Sequence, residues 1–401
     1  MNFVFVSPQF PEVYWHFCAC LRRNGATVLG IGDTPYDAIS DQLKAALTEY
    51  YWLPSLEDYD AIFRAVAFFS YKYGKIDWLE SNNEYWLGQD ARLRDDFHIT
   101  TGASAAQMAQ WQSKAAMKPL YAAAGVPTAR QLRLGEGVSL DDARAFVAQV
   151  GYPAFAKPER GVGSGGAHAV ADDAELVALF AEAAAAGETY VLEEFVGGQI
   201  CSYDAIVDSH GDPLFENQEE FPPSMADVAA LQLDMSYLSR PKVDPKLQAL
   251  GRAATKGFGL RSRFVHQEYF RLTEDKPGLG AAGDYVGLEV NVRPPGGYTP
   301  DLMNYAHAID VYQIWADMVC FDRTDVVAGG TDAFCVYASR RDIYEYAHSV
   351  DEVRARFGSA VMWAQRMPDG LSDDLGNFGV VARLATQDEV DDFVAFVQER
   401  V

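Results

Sequence analysis

Apolar positions along the chain fall into short runs divided by polar, glycine- or proline-bearing breaks, and the period of the runs changes in a regular order. Asn2–Val6 reads as a short buried strand, and Ser7-Pro-Gln-Phe-Pro11 as a loop delivering a helix that Gly25 ends; residues 27–31 form the next strand. An aromatic strand at 50–53, a helix at 56–71 and a strand at 76–79 repeat the alternation. Strand and helix alternating over the first hundred residues predict a small parallel sheet with helices on its faces. Glu80, Asn82, Asn83 and Glu84 then fall just past a strand's carboxyl end, where open α/β sheets hold ligands, although helix capping explains each of them singly.

A second unit begins with a helix at 113–124 closed by Gly125, followed by a strand near 129–134, a helix at 140–150 and a strand at 153–157. After a glycine loop at 161–166 comes a strand at 167–170 and a helix opened by Asp172, with Glu175 three residues on in capping-box fashion. The apolar strand 189–196 carries Glu193 and Glu194 and breaks at Gly197-Gly198. Strands at 201–206 and 213–216, a helix at 245–258 and a strand at 263–272 follow, the last with His266, Glu268 and Phe270 on one face. From about residue 328 the pattern reads as an appended α+β unit: strands at 333–338 and 378–384, helices at 351–357 and 388–401, and no motif with chemistry in it.

The densest chemistry lies in Gly287-Leu-Glu-Val-Asn-Val-Arg-Pro-Pro-Gly-Gly297. Val290 and Val292 alternate with Glu289, Asn291 and Arg293, so a carboxylate, an amide oxygen and a guanidinium share one face of a strand. The first two are hard oxygen donors suited to Mg²⁺, and the planar fork of Arg293 suits a carboxylate or phosphoryl group. Pro294 and Pro295 end the strand, and Gly296 and Gly297 leave room for a ligand near the backbone. On this stretch alone an ordinary strand with a solvated polar face accounts for the pattern equally well. If strand 263–272 pairs with it, Glu268 and Glu289 converge on one cation.

Composition narrows the class. With 401 residues and 49% hydrophobic content the chain can form two or three domains. No apolar run approaches the ~20 residues of a membrane span and the N-terminus lacks a basic signal flank, so a soluble cytoplasmic protein without a membrane partner is expected. A net charge of −24 opposes nonspecific nucleic-acid binding and means that any phosphate site must gather its own cations. Five scattered cysteines (18, 20, 201, 320 and 335) have no metal-binding spacing and read as reduced thiols.

Gly161, Gly163 and Gly166 formally satisfy the dinucleotide pattern GxGxxG, but that pattern needs a helix to start at the loop, and here a strand follows. The P-loop pattern is absent too, since Lys157 precedes the glycines. A flap between strands remains, whose backbone amides at Gly161, Gly163, Ser164, Gly165 and Gly166 can turn toward phosphate oxygens above Lys157. A plain surface hairpin is the other reading.

The ordered set resembles the ATP-grasp superfamily over about residues 1–320. Ser113-Lys114 through Gly125-Val-Pro127 resembles the helix carrying the family's first phosphate lysine, Pro153-Ala-Phe-Ala-Lys157-Pro its second lysine strand, and Gly161–Gly166 its mobile phosphate loop. Leu192-Glu-Glu-Phe-Val196 resembles the hinge, and by that likeness Glu193, Glu194, Phe195 and Val196 contact adenine. The likeness places Mg²⁺, or Mn²⁺, on Glu268, Glu289 and Asn291, and assigns Arg293 and Lys157 to catalysis, with Arg293, Gly296, Gly297 and His266 beside substrate. A satisfied structural histidine explains His266 as well. Where many members have a ribose-binding glutamate, this chain has Ile200; Gln199 and Asp204 are the candidate replacements.

The resemblance implies an α/β architecture of an N-terminal Rossmann-like parallel sheet (1–100), a linker helix and small lid (101–197), a large antiparallel-sheet domain (198–327) and the appended unit (328–401). The Asn-Val-Arg-Pro-Pro-Gly-Gly wording is most similar to the carboxylate-amine ligase branch that includes L-amino-acid ligases. It implies an ATP-dependent ligase acting on small-molecule carboxylates and amines, amino acids among them, through an acyl phosphate, and a homodimer as the branch's frequent assembly. The alternatives are an ATP-dependent carboxylase or carbamoyl-phosphate-type enzyme, and a nucleotide-binding protein without turnover.

Overall fold

Strands β1 (Asn2–Val6), β2 (Thr27–Gly32), β3 (Glu49–Trp52) and β4 (Trp78–Glu80) form a parallel sheet in the order β3-β2-β1-β4. In the computed structural model, which describes residues 1–159, 166–222, 228 and 231–401, both faces of β1 are covered. Phe3 and Phe5 pack with Phe17 and Trp315, while Val4 and Val6 pack with Ile62 and Phe69. Burial on two sides is why this strand reads as a continuous apolar run. The sequence pattern passes over the helices Asp41–Ala46, Leu87–Asp96 and Ala105–Trp111. In Leu87–Asp96 the inward face includes Asp90 and Arg94, which spoils the apolar period.

The second sheet is small and antiparallel. Strands β5 (Gln131–Leu134), β6 (Ala154–Pro158), β7 (His168–Val170) and β8 (Tyr190–Glu194) lie in the order β5-β8-β6-β7. Helices Leu140–Val150 and Asp173–Ala186 pack Ala143, Val147, Leu176 and Leu179 against Ala154, Ala156 and Leu192. Asp172 caps its helix by accepting from the amides of Ala174 and Glu175, and Glu175 reaches back to Ala171, one residue short of a true capping box. Gly161, Gly163, Ser164 and Gly165 lie outside the described residues; Gly166 is described, with φ +73°.

The third sheet contains β9 (Gly198–Val207), β10 (Pro213–Phe221), β11 (Ser236–Ser239), β12 (Arg263–Leu272), β13 (Tyr285–Asn291), β14 (Phe334–Arg340), β15 (Val361–Arg366) and β16 (Phe378–Leu384). Its order is β13-β12-β9-β10-β11-β14-β16-β15, with antiparallel neighbours throughout. One face buries Tyr203, Val265, Tyr269, Val290 and Val292 against helices Pro245–Gly257 and Lys114–Ala123. The last three strands continue this sheet. Residue 327 is therefore not a sheet boundary, because the four-residue β11 supplies the backbone edge on which β14 pairs. The whole is an α/β molecule with a parallel, a small antiparallel and a large antiparallel sheet, as the resemblance implies.

Candidate functional site

Pairing of β12 with β13 sets Glu268 directly opposite Glu289 and His266 opposite Asn291. Opposed residues in an antiparallel pair project to the same face, so all four groups stand together. The Asn291 amide donates to Glu268 Oε1 at 3.3 Å, and His266 Nε2 lies 3.4 Å from the same oxygen. The other ring nitrogen of His266 is 2.6 Å from Asp204 Oδ1.

Burial works against a charged ring, but Asp204 and Glu268 outweigh it and hold His266 up at about 9, an imidazolium at neutral pH. Burial likewise pushes Glu268 up, yet His266 and then Arg293 and Lys157 leave it below the usual carboxylate range. Glu289 goes the other way: burial raises it and, with the charges of Glu268 and Glu84 beside it, outweighs the pull of Lys114 and Lys157. With both nitrogens engaged and only 7% exposure, His266 is held between Asp204 and Glu268, the position of a structural histidine supporting Glu268.

Cations come from the opposite wall. Ser113 caps the helix Lys114–Ala123, and Lys114 Nζ is 3.8 Å from Glu289 Oε1. Lys157 on β6 reaches Glu193 Oε2 at 2.6 Å, and Lys118 reaches Glu193 Oε1 at 2.8 Å. Burial raises the Glu193 carboxyl, but Lys157 and Lys118 together hold it below its ordinary value. Lys118 is the residue that reading the sequence missed. Its signal was available, since it lies four residues after Lys114 and so on the same helix face.

Glu194 points to the other side of β8, held by Arg130 at 2.9 Å and by Lys276 at 3.5 Å. Because β8 is flanked by β5 and β6 through Glu194, its backbone groups are committed to those neighbours that far. Past that point come Phe195, 41% exposed, and the buried Val196.

Arg293 lies beyond the end of β13. Its Nε donates to Glu84 Oε2 at 3.2 Å and its Nη1 to the Pro294 carbonyl at 2.8 Å, so the loop after β4 reaches the same place. Glu80 does not join it; Arg94 and Arg263 bracket that carboxylate at 3.4 and 3.2 Å in the interior. Gly296 faces open space, whereas Gly297, at φ +61°, could not gain a Cβ without coming within 3.0 Å of Leu375. Asp204 is fully buried beneath His266, Ser202 and Asn217 and cannot reach a ribose.

Two carboxylates and an amide oxygen fit a hard divalent cation. A positive ion would offset the burial, and the neighbouring Glu268 charge, that raise Glu289, and Mg²⁺ characteristically takes one or two carboxylates and completes its shell with phosphate and water. Among the described residues no three His, Cys, Asp or Glu side chains form a metal cluster, and such a shell requires none.

Residues 113–218 match the family model for the carbamoyl-phosphate synthase L chain, ATP binding domain. No curated protein sequence matches the chain. Among solved structures, L-amino acid ligase from Bacillus licheniformis superimposes with a TM-score of 0.69 at 14% identity, over 98% of this chain and 95% of that one. Phosphoribosylglycinamide synthetase from Anaerococcus prevotii gives 0.67 at 12% identity, over 99% and 97%. The biotin carboxylase domain of Hydrogenobacter thermophilus 2-oxoglutarate carboxylase gives 0.67 at 15%, over 100% and 90%. None of the described helices is long and apolar enough to cross a membrane. The chain shares the fold of these structures over its full length, and residues 113–218, which carry Lys114, Lys157 and β8, match the ATP binding domain model.

Proposed function

We propose that the chain is an ATP-dependent ligase that joins a small carboxylate to an amine through an acyl phosphate, releasing ADP and phosphate. The observation that carries this reading is the confrontation of Glu268 and Glu289 with Lys114 and Lys157, two carboxyl groups and two ammonium groups facing one space. Phosphoryl transfer asks for in-line positioning and charge compensation more than for covalent work by the protein. Lys114, Lys157 and Lys118 bring positive charge to the phosphates, and Phe195 and Val196 offer backbone to the adenine. Glu268, Glu289 and Asn291 would hold Mg²⁺, which supplies Lewis-acid neutralisation of the phosphoryl oxygens. Arg293 holds the acyl phosphate and stabilises the oxyanion as the amine adds. Residues 1–100 and 198–327 would then frame the acceptor, with 101–197 as the lid.

The test is phosphate release from ATP with Mg²⁺ over a panel of carboxylates and amines, amino acids included. Glu289→Gln should abolish substrate-dependent ADP formation while the circular dichroism spectrum stays unchanged; turnover like that of the wild type removes the metal assignment. The likeness to biotin carboxylase domains, at nearly the same score, supports a second reading as an ATP-dependent carboxylase, for which phosphate release would depend on bicarbonate instead.

A further inference from the structure

The loop 9–13, the Gly297-Tyr298 turn and the helix Asp369–Leu375 meet around a cavity of about 80 Å³. Phe10, Pro11, Val13, Tyr298 and Leu371 give it mostly apolar walls drawn from three distant parts of the chain, with Gln9 and Glu12 its polar members. Val13, Tyr298 and Leu371 also pack into the cluster of Tyr237, Tyr337, Met367 and Leu375, so the walls are anchored. Phe10, at 45% exposure, stands at the mouth.

The cavity is tied to Arg293 on two sides. Gly297 follows Arg293 by four residues, no more than about 14 Å even for extended chain. Tyr14, next to Val13, lies in the electrostatic reach of Arg293, and its hydroxyl donates at 2.7 Å to the carbonyl of Asn82, two residues before the Glu84 that holds Arg293. Two short stretches of chain thus join Arg293 to the cavity walls. Room for about three water-sized groups matches a branched three- or four-carbon group. A second carboxylate entering this space would lose its hydration against the apolar walls and meet the like charge of Glu12.

We propose that this cavity receives the side chain of the carboxylate substrate, and that the substrate is an acid with a compact branched apolar side chain, of valine or leucine size. The proposal rests on the ligase reading and gives the C-terminal segment, through Leu371, a part in choosing substrate.

The test measures binding of 3-methylbutanoate, acetate and succinate to the full-length protein with ATP and Mg²⁺ by titration calorimetry, beside phosphate release with the same acids and an excess of amine. Wild type should bind 3-methylbutanoate at least about tenfold more tightly than acetate and should reject succinate, in line with the value of extra methylenes in an apolar pocket. Leu371→Trp and, separately, Val13→Phe should fill the cavity and erase that preference while leaving ATP affinity unchanged. Equal binding of 3-methylbutanoate and acetate by wild type, no binding of either, or a preference that survives both substitutions overturns the proposal. Preferential binding without phosphate release from any acid and amine overturns the ligase reading alone, and release without preference overturns this inference alone.

Discussion

Glu193 on β8 and Glu219 on β10 are both buried single carboxylates, 4% and 0% exposed, and they meet the cost of burial in opposite ways. Glu193 keeps its charge because Lys118 and Lys157 each put an ammonium within 2.8 Å of it. Among the described residues Glu219 has no hydrogen-bond partner at either carboxylate oxygen, and burial, followed by the charge of Asp204, pushes its carboxyl well above the ordinary range. One acid stays ionised and orders two cations; the other gives up ionisation and holds a proton. The difference separates a group that organises the cleft from one whose charge the surrounding sheet cannot support.

The largest effect expected is on Glu193→Gln. It leaves two buried ammoniums without their counter-charge, which should cost about 3–5 kcal/mol in chemical denaturation without nucleotide. Added ATP should restore more stability to this variant than to wild type, because its phosphates supply the missing negative charge. A nucleotide-free variant as stable as wild type would break the comparison at its first term. Next is Lys157→Ala, expected to weaken ATP binding by about 2 kcal/mol through loss of a charge-assisted contact. Calorimetric affinity equal to that of wild type would mean that Lys157 serves Glu193 and not the phosphates.

The smallest effect is on Glu219→Gln, and its sign depends on pH. The unfolded chain releases this proton above about 4.3, while the folded chain retains it because the folded value is raised. Between those two values the unfolded state binds fewer protons, so the wild-type residue loses stability as pH rises. The glutamine variant should equal wild type near pH 4 and exceed it by about 1 kcal/mol near pH 8. Glu193 has the reverse dependence: its folded value is lowered, so its stabilising contribution is present above the unfolded value and is lost as pH falls through the folded one. Relative to wild type, urea midpoints should shift with pH above about 4.3 for Glu219→Gln and only below it for Glu193→Gln, each variant in its own window. Parallel curves would erase the distinction.

Much of the fold was legible where local patterns are strong. Residues 140–150 form a helix with those bounds because Ser139 and Asp142 make a capping box and Gly151 takes a positive φ at the far end. Strands β12 and β16 likewise keep the ranges the apolar pattern gives them. The helix Thr299–His307 and strands β11 and β15 escaped notice. Ser236-Tyr-Leu-Ser239 is too short and too polar to stand out, and Thr299–His307 starts immediately after a Pro-Pro-Gly-Gly run that reads as loop.

The site divided along the same line. Alternation along one strand placed Glu289, Asn291 and Arg293 on a common side, and helical spacing alone could have joined Lys118 to Lys114. No local rule connects Arg293 with Glu84, His266 with Asp204, or Lys118 with Glu193, pairs whose members lie far apart in the chain and whose energies exist only once the sheets pack. The same limit concealed Leu371, whose place beside Phe10 and Tyr298 depends on the last strands joining the large sheet.

By itself the sequence determined where strands and helices run and which side chains share a face, because backbone periodicity and capping act over a few residues. Only the tertiary structure decided which carboxylates remain charged, since ionisation in the interior depends on cations and dipoles brought from elsewhere in the chain.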